Sequence, residues 1–145
     1  MSVADVSGSA GRYLSAILLL SRRNGRPAKT GEIAERLDVS AASVTERLAD
    51  LEERGLAEYE KYHGVELTDD GEAVTRELMW KRCLAENFLD EDLDLPDADG
   101  SEVGPALSDD VATALKALID HPCDGACEAP HTAHDACREE VRKPN

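Results

Sequence analysis

The chain has 145 residues, is 41% hydrophobic and only 3% aromatic, and sets 16 Lys+Arg against 31 Asp+Glu for a formal net charge of −15. That length holds one domain or two small ones, with an interior built mostly from Leu, Val, Ile and Ala. So acidic a balance ordinarily argues against a nucleic-acid binder, and only five of the sixteen basic residues are Lys, a surface suited to a salt-filled, halophilic cytoplasm. The charge is unevenly spread. Between Gly11 and His63 nine Lys/Arg are matched by nine Asp/Glu, so the whole negative excess lies outside that window. At high salt, phosphate attraction weakens, and a protein of this kind leans on base contacts and shape.

The longest apolar run, "YLSAILLL" at residues 13–20, is far too short to span a bilayer. It lacks a basic leader and a small-residue cleavage site, so a soluble, cytoplasmic chain with reduced cysteines and no membrane partner is expected. From Arg12 the pattern is a buried-faced helix ending in "RRNG", a basic last turn followed by Asn24-Gly25 as the stop. After Pro27, Thr30 is expected to cap a short helix carrying Ile33, Ala34 and Leu37, and Ser40 to cap the next. That helix places Val44, Leu48 and Leu51 at i, i+4, i+7 as one buried stripe, with Ala42, Ser43, Glu46, Arg47 and Asp50 on its other face. Gly55 ends it.

"LAEYEKYHGVELT" alternates on both sides of His63-Gly64, which predicts two strands and a tight turn there. Helix, short helix, short helix and hairpin is the winged helix-turn-helix order. A small helical domain used for protein contacts is the plainer alternative, but the caps, turn and wing all occur in register. Thr68 caps a longer helix reaching about Glu91, with Val74, Leu78, Ala85 and Phe88 as its stripe. Residues 89–102 read as an acidic, solvated linker with Pro96 and Gly100. Ser108 caps a last helix with Val111, Leu115 and Leu118 on one face. The expected fold class is mainly α with a small β-wing: a winged-helix DNA-binding domain over residues 1–70, a helical dimerisation domain over 71–120 and a Cys/His-rich tail over 121–145. The last two helices have no obvious work in a lone winged helix. A homodimer that reads the two half-sites of double-stranded DNA is their natural use.

The segments "YLSAI", "EIAERLDVSAASVTERLADLEERGLAEYEKYHGVELTDDGE", "CLAENFL" and "ALSDDV" resemble the iron- and manganese-dependent repressors related to the diphtheria toxin repressor, across roughly residues 13–121. The resemblance implies a winged helix plus a helical dimerisation domain, and metal-triggered binding to palindromic operators. It puts Ser40, Ala42, Ser43, Glu46 and Arg47 at the recognition-helix positions facing DNA. Lys29, Thr30, Lys61 and His63 join them as candidate contacts. The departures fall on the family's metal ligands: Arg12 and Arg82 stand at two ligand positions, and Ser101, Gly104 and Pro105 at three others, while Glu86 survives. An arginine has no lone pair to offer a cation, so the usual pocket is expected to be missing.

Its replacement is sought in "HPCDGACEAPHTAHDAC", where three of the four cysteines and three of the four histidines lie within seventeen residues. Thiolates and imidazoles suit borderline and soft transition metals such as iron or zinc, and manganese enters through the resemblance. The candidate ligands are Cys123, Cys127, His131, His134 and Cys137, with Cys83, Glu86 and His121 in reserve. An iron–sulfur cluster on Cys123, Cys127 and Cys137, with Cys83 as fourth ligand, is the alternative. An idle or disulfide-forming tail is the bland case. An enzyme is not expected: nucleophile elbow, P-loop and HExxH motifs are absent from the sequence, and only Glu128 or Glu139 is available as a carboxylate base beside the tail.

Overall fold

The computed structural model describes Val6, residues 8–100 and residues 102–127. By its internal contacts the chain divides into two units: residues 8–75, and residues 76 onward together with Val6.

The first unit opens with α1 (Ser9–Asn24), which buries Tyr13, Leu14, Ala16, Ile17, Leu18 and Leu20. Its end follows the basic-turn-then-glycine rule: Gly25 is left-handed at φ 65° and donates its N–H to the Ser21 carbonyl. α2 (Thr30–Leu37) and α3 (Ala41–Glu53) follow, joined by Asp38 in the left-handed region. Thr30 is not the cap. Lys29 holds that extended position, and the Glu32 carboxylate reaches back to accept the Lys29 N–H at 2.9 Å, half of a capping box, since a lysine side chain has no acceptor for the other half. Arg26 forks onto the same carboxylate at 3.0 Å. That hydrogen bond leads the causes holding the Glu32 carboxyl below its ordinary value and the Arg26 guanidinium above its own.

Ser40 caps α3 as expected, accepting the Ser43 N–H at 3.1 Å. Val44, Leu48 and Leu51 are all buried, each contributing about 1.5–3 kcal/mol by leaving water. β1 (Ala57–Glu60) pairs antiparallel with β2 (Gly64–Leu67), Ala57 opposite Leu67 and Glu60 opposite Gly64. The turn is therefore residues 61–63, not His63-Gly64, and its left-handed residue is Tyr62 at φ 71°. Gly64 is drawn into β2 because the strand is also paired on its other edge: Ala28 and Val65 exchange backbone hydrogen bonds at 3.0 and 2.8 Å. A side chain at Gly64 would strike the Ala28 carbonyl.

α4 (Asp69–Asn87) is capped by Thr68, whose hydroxyl accepts the Gly71 N–H at 3.0 Å and donates to the Gly55 carbonyl at 2.7 Å. It passes into a π-helical turn (Phe88–Asp92). In the second unit, the stretch expected as a solvated linker is only partly so. Gly100 is buried, its N–H donating to Glu86 Oε2 at 3.0 Å, and a short α5 (Val103–Ala106) precedes α6 (Asp109–Ile119). Gly100 and Gly104 both lie against the α4 backbone at Arg82, where a Cβ on either would come within 2.8 Å of a main-chain atom. Lys81, 5% exposed, is satisfied by the Leu107 carbonyl at 2.9 Å and Asp109 at 3.2 Å, as a buried ammonium requires. Ser108 caps α6, which buries Ala112 and Ile119 and leaves Val111 and Leu118 exposed at 51% and 69%. Among the described residues no helix is long and apolar enough to cross a membrane.

Candidate nucleic-acid interface and thiol cluster

The outward face of α3 is the surface opposite its Val44/Leu48/Leu51 stripe. Ala42, Ser43 and Glu46 are exposed there, and Arg47 is half-buried. Ser40 and Ser43 form a linked pair, Ser40 Oγ donating to Ser43 Oγ at 2.9 Å, so the helix N-terminus is rigid at the point where its side chains leave the protein. Arg47 lies 3.7 Å from Asp50, which Arg54 approaches more closely at 3.3 Å. The pair with Arg47 is a loose tether on a half-exposed group, worth little net energy.

The hairpin carries Lys61 and His63, both exposed, on either side of Tyr62, which is 84% exposed with the Lys61 ammonium 5.2 Å from its ring centre. Lys29 is turned differently from a free phosphate-seeking lysine: its Nζ donates to the Tyr62 and His63 carbonyls at 3.1 Å, bracing the wing turn. Thr30 is half-buried in the first turn of α2. Sequence reasoning overlooked Tyr62, whose position at the wing tip only became visible once the turn moved from residues 63–64 to residues 61–63.

The second unit gathers the cysteines by a route that spacing did not reveal. Arg76, Trp80 and Cys83 lie at i, i+4 and i+7 on α4, one helical face. The chain leaving α6 runs back along it: Arg76 donates to the Cys127 carbonyl at 2.7 Å, Trp80 Nε1 to the Cys123 carbonyl at 3.0 Å, and Cys83 Sγ meets His121 Nε2 at 3.1 Å. Cys83, His121, Cys123 and Cys127 are all buried, and the three thiols are free of disulfides. His121 Nδ1 accepts the Cys123 backbone N–H at 3.1 Å. A nitrogen that accepts carries no proton, so the neutral ring holds its proton on Nε2 and donates it to the Cys83 sulfur. Asn87 Nδ2 adds a second donor at 3.4 Å to the same sulfur.

Two metal locations were open to test. At the positions where the resemblance puts family ligands, the residues do not fit a cation. Arg12 is an exposed cation itself. Arg82 pairs with Glu86 at 3.2 Å, and that carboxylate also takes the Gly100 N–H, so its acceptors serve the protein's own packing. Gly104 and Pro105 have no side-chain donor, and Ser101 lies outside the described residues. At the tail the donor set, thiols with imidazoles, suits a borderline or soft metal. Among the described residues no three such groups are close enough together to hold one. The other tail candidates, His131, His134 and Cys137, lie outside the described residues, as do Glu128 and Glu139.

Residues 5–65 match the family profile described as "Iron dependent repressor, N-terminal DNA binding domain". An HTH-type transcriptional regulator of Methanocaldococcus jannaschii is 33% identical over 119 residues, 79% of this chain and 95% of that protein. The HTH-type transcriptional regulator MntR of Lysinibacillus sphaericus is 36% identical over 95 residues, 62% of this chain and 68% of its own. Among solved structures, the manganese regulator SloR superposes with a TM-score of 0.66 at 27% identity over 76% of this chain, which spans only 53% of SloR, about half its length. The chain belongs to the iron- and manganese-dependent repressor family, and is a winged-helix transcriptional regulator rather than an enzyme.

Proposed function

We propose that this regulator binds a palindromic operator as a homodimer, with α3 in the major groove, and that its DNA affinity answers to a transition metal or to redox state through the Cys/His cluster of the second unit. The observation that carries the reading is the segment His121 to Cys127 folded back on α4, where it buries three thiols and an imidazole against one helical face. A buried cysteine by itself packs as a small hydrophobe, but thiols and imidazoles brought into one short segment also carry the donor chemistry of borderline and soft metals. Arg12 and Arg82 stand at two of the family's usual ligand positions, and the thiols and imidazoles of the tail are the donors this reading puts in their place. Cys123 and Cys127, with His131, His134 and Cys137, are the residues that would hold a metal, while Cys83, on α4, meets His121 at 3.1 Å. A cation, if bound there, would supply a cross-link between donors of the chain after α6. The protein's own residues do the rest: Arg76 and Trp80 hold the segment by its carbonyls, and α4 is continuous from the wing's Thr68 cap to Cys83.

The dimer reading rests on α6. Its outer face presents Val111 and Leu118 to solvent with Leu115 between them, an apolar stripe that a second copy of the same helix would cover.

The test is a binding titration on a duplex selected in vitro by the wild-type protein, with and without added Mn, Fe or Zn, and with and without peroxide. Replacing Cys123, Cys127 and Cys137 together by Ser, or by Ala to spare a buried hydroxyl, is expected to abolish metal uptake and any metal- or oxidant-dependent change in affinity. Basal binding should remain. A variant that still responds as wild type does would place the sensor outside the tail and overturn the proposal.

A further inference from the structure

Beside the outward face of α3 lies a cleft of about 450 Å3 within the first unit, lined by Arg12 and Tyr13 of α1, by Val39, and by Ser43, Glu46 and Arg47 of α3. We infer that this cleft seats a phosphate of the DNA backbone and that Arg12 is the residue that grips it. The inference rests on the proposal that α3 enters the major groove, and adds a contact from a helix to which none of the expected DNA-binding residues belongs.

Three observations converge on it. First, Ser43, Glu46 and Arg47 share a face of α3 at i, i+3 and i+4, so the wall that the cleft borrows from α3 is the same surface that would read bases. In B-DNA the phosphates form the rims of the groove, and a cationic group standing beside a reading helix meets a rim rather than a base edge. Second, the charge is suited to an anion. Two arginines, Arg12 and Arg47, and a single carboxylate residue, Glu46, are among those that line the cleft, a net positive lining in a chain of formal charge −15. Third, Arg12 is exposed and, among the described residues, its guanidinium is in no recorded ion pair. Arg26, Arg47, Arg54 and Arg82 each lie by a carboxylate; Arg22, Arg23 and Arg36 are, among the described residues, as uncommitted as Arg12, but none of them lines the cleft. An uncommitted planar fork of N–H donors is the group best matched to a phosphodiester. In a protein whose surface otherwise repels polyanions, one well-placed bidentate contact matters more than diffuse attraction.

The experiment measures dissociation constants against salt concentration on the selected duplex and on a scrambled one. Proteins compared are wild type, Arg12→Gln, Arg12→Lys, Arg47→Ala and Arg23→Gln, the last removing an equal charge from the other end of α1. Arg12→Gln is expected to weaken binding roughly a hundredfold, about tenfold for the charge-assisted hydrogen bond lost from each protomer of the dimer. It should do so equally on both duplexes, and lower the slope of log K against log salt by about 2, one phosphate contact for each protomer of the dimer. Arg12→Lys should keep the slope and lose part of the affinity. Arg23→Gln should change neither. If Arg12→Gln keeps wild-type slope and affinity while Arg47→Ala weakens selected DNA, the phosphate seat is wrong and the groove reading survives. If Arg47→Ala is without effect, the groove reading fails. An Arg12→Gln defect confined to the selected duplex would make Arg12 a base reader and would also overturn the proposal. Circular dichroism confirms that each variant is folded; Arg12, being exposed, supports no core packing.

Discussion

Arg47 leaves α3 from a half-buried stem, one turn after Ser43 and beside Glu46, with only the loose 3.7 Å approach to Asp50 holding it back. A side chain so placed swings outward at small cost, because the Arg54 guanidinium remains 3.3 Å from the Asp50 carboxylate. An arginine bidentate to guanine supplies about 1–3 kcal/mol of discrimination. Arg47→Ala is therefore expected to lower affinity for the selected duplex by tenfold or so and to flatten the preference over scrambled DNA, with the melting temperature unchanged. Competition binding against single-base variants of the duplex reads this directly; unaltered base preferences would refute the docking. Cys83 shows the same scale at work in the second unit. Its sulfur meets two nitrogen donors from residues 4 and 38 positions away. One of those donors is oriented by the backbone of Cys123.

At the scale of elements, two glycines show how the same residue type carries opposite meanings. Gly71, in the first turn of α4, is packed so closely on Leu56 that a Cβ would collide with the Leu56 carbonyl oxygen. This contact, with the Thr68 hydroxyl bridging Gly55 and Gly71, sets where α4 departs from the hairpin. Gly31, in the first turn of α2, has open space where its Cβ would be. Gly71→Ala should destabilise the fold by roughly 1–3 kcal/mol through overpacking. Gly31→Ala should stabilise it by about 0.4–1 kcal/mol by restricting the unfolded chain. Urea unfolding of the two variants checks the pair. Equal effects would mean that α4 does not press on Leu56 as described.

For the whole molecule, the division of charge and the division into units reinforce one another. The electrically balanced stretch ending at His63 falls inside the first unit, which carries α3 and the wing, while much of the acidic excess falls in the second. Within the first unit the carboxylates up to His63 are matched one for one by basic residues, so net charge there does not oppose an approach to DNA. The proposed dimer interface on the outer face of α6 belongs to this scale. Leu118→Asp puts a charge on that stripe at a position 69% exposed in the single chain, so the fold should tolerate it. A dimer would not. Sedimentation is expected to show a monomer, and affinity for a palindromic duplex should fall roughly a hundredfold as the second half-site contact is lost. A variant that remains dimeric would move the interface off α6.

The class and most of the elements, though not the π-helical turn or α5, follow from local signals in the residues. The Val44, Leu48 and Leu51 period, the Ser40, Thr68 and Ser108 caps and the Asn24-Gly25 stop are local signals. They depend on hydrogen bonds and side-chain spacing within a few residues, and each appears in the fold where the residues called for it. The hairpin turn and the α2 cap were misplaced by a residue or two because partners from elsewhere decided them. Ala28 on the far edge of β2 took Gly64 into the strand, and Glu32 reaching back made Lys29 the cap. Only the tertiary structure joined Cys83 to His121 and laid Cys123 and Cys127 along α4, since nothing in a spacing of 38 residues says which helical face a returning segment will cover. It also decided that Arg12 opens onto the cleft shared with Arg47. Periodicity assigns a residue to a face of its own helix; which neighbour shares that face with it is settled by packing in three dimensions.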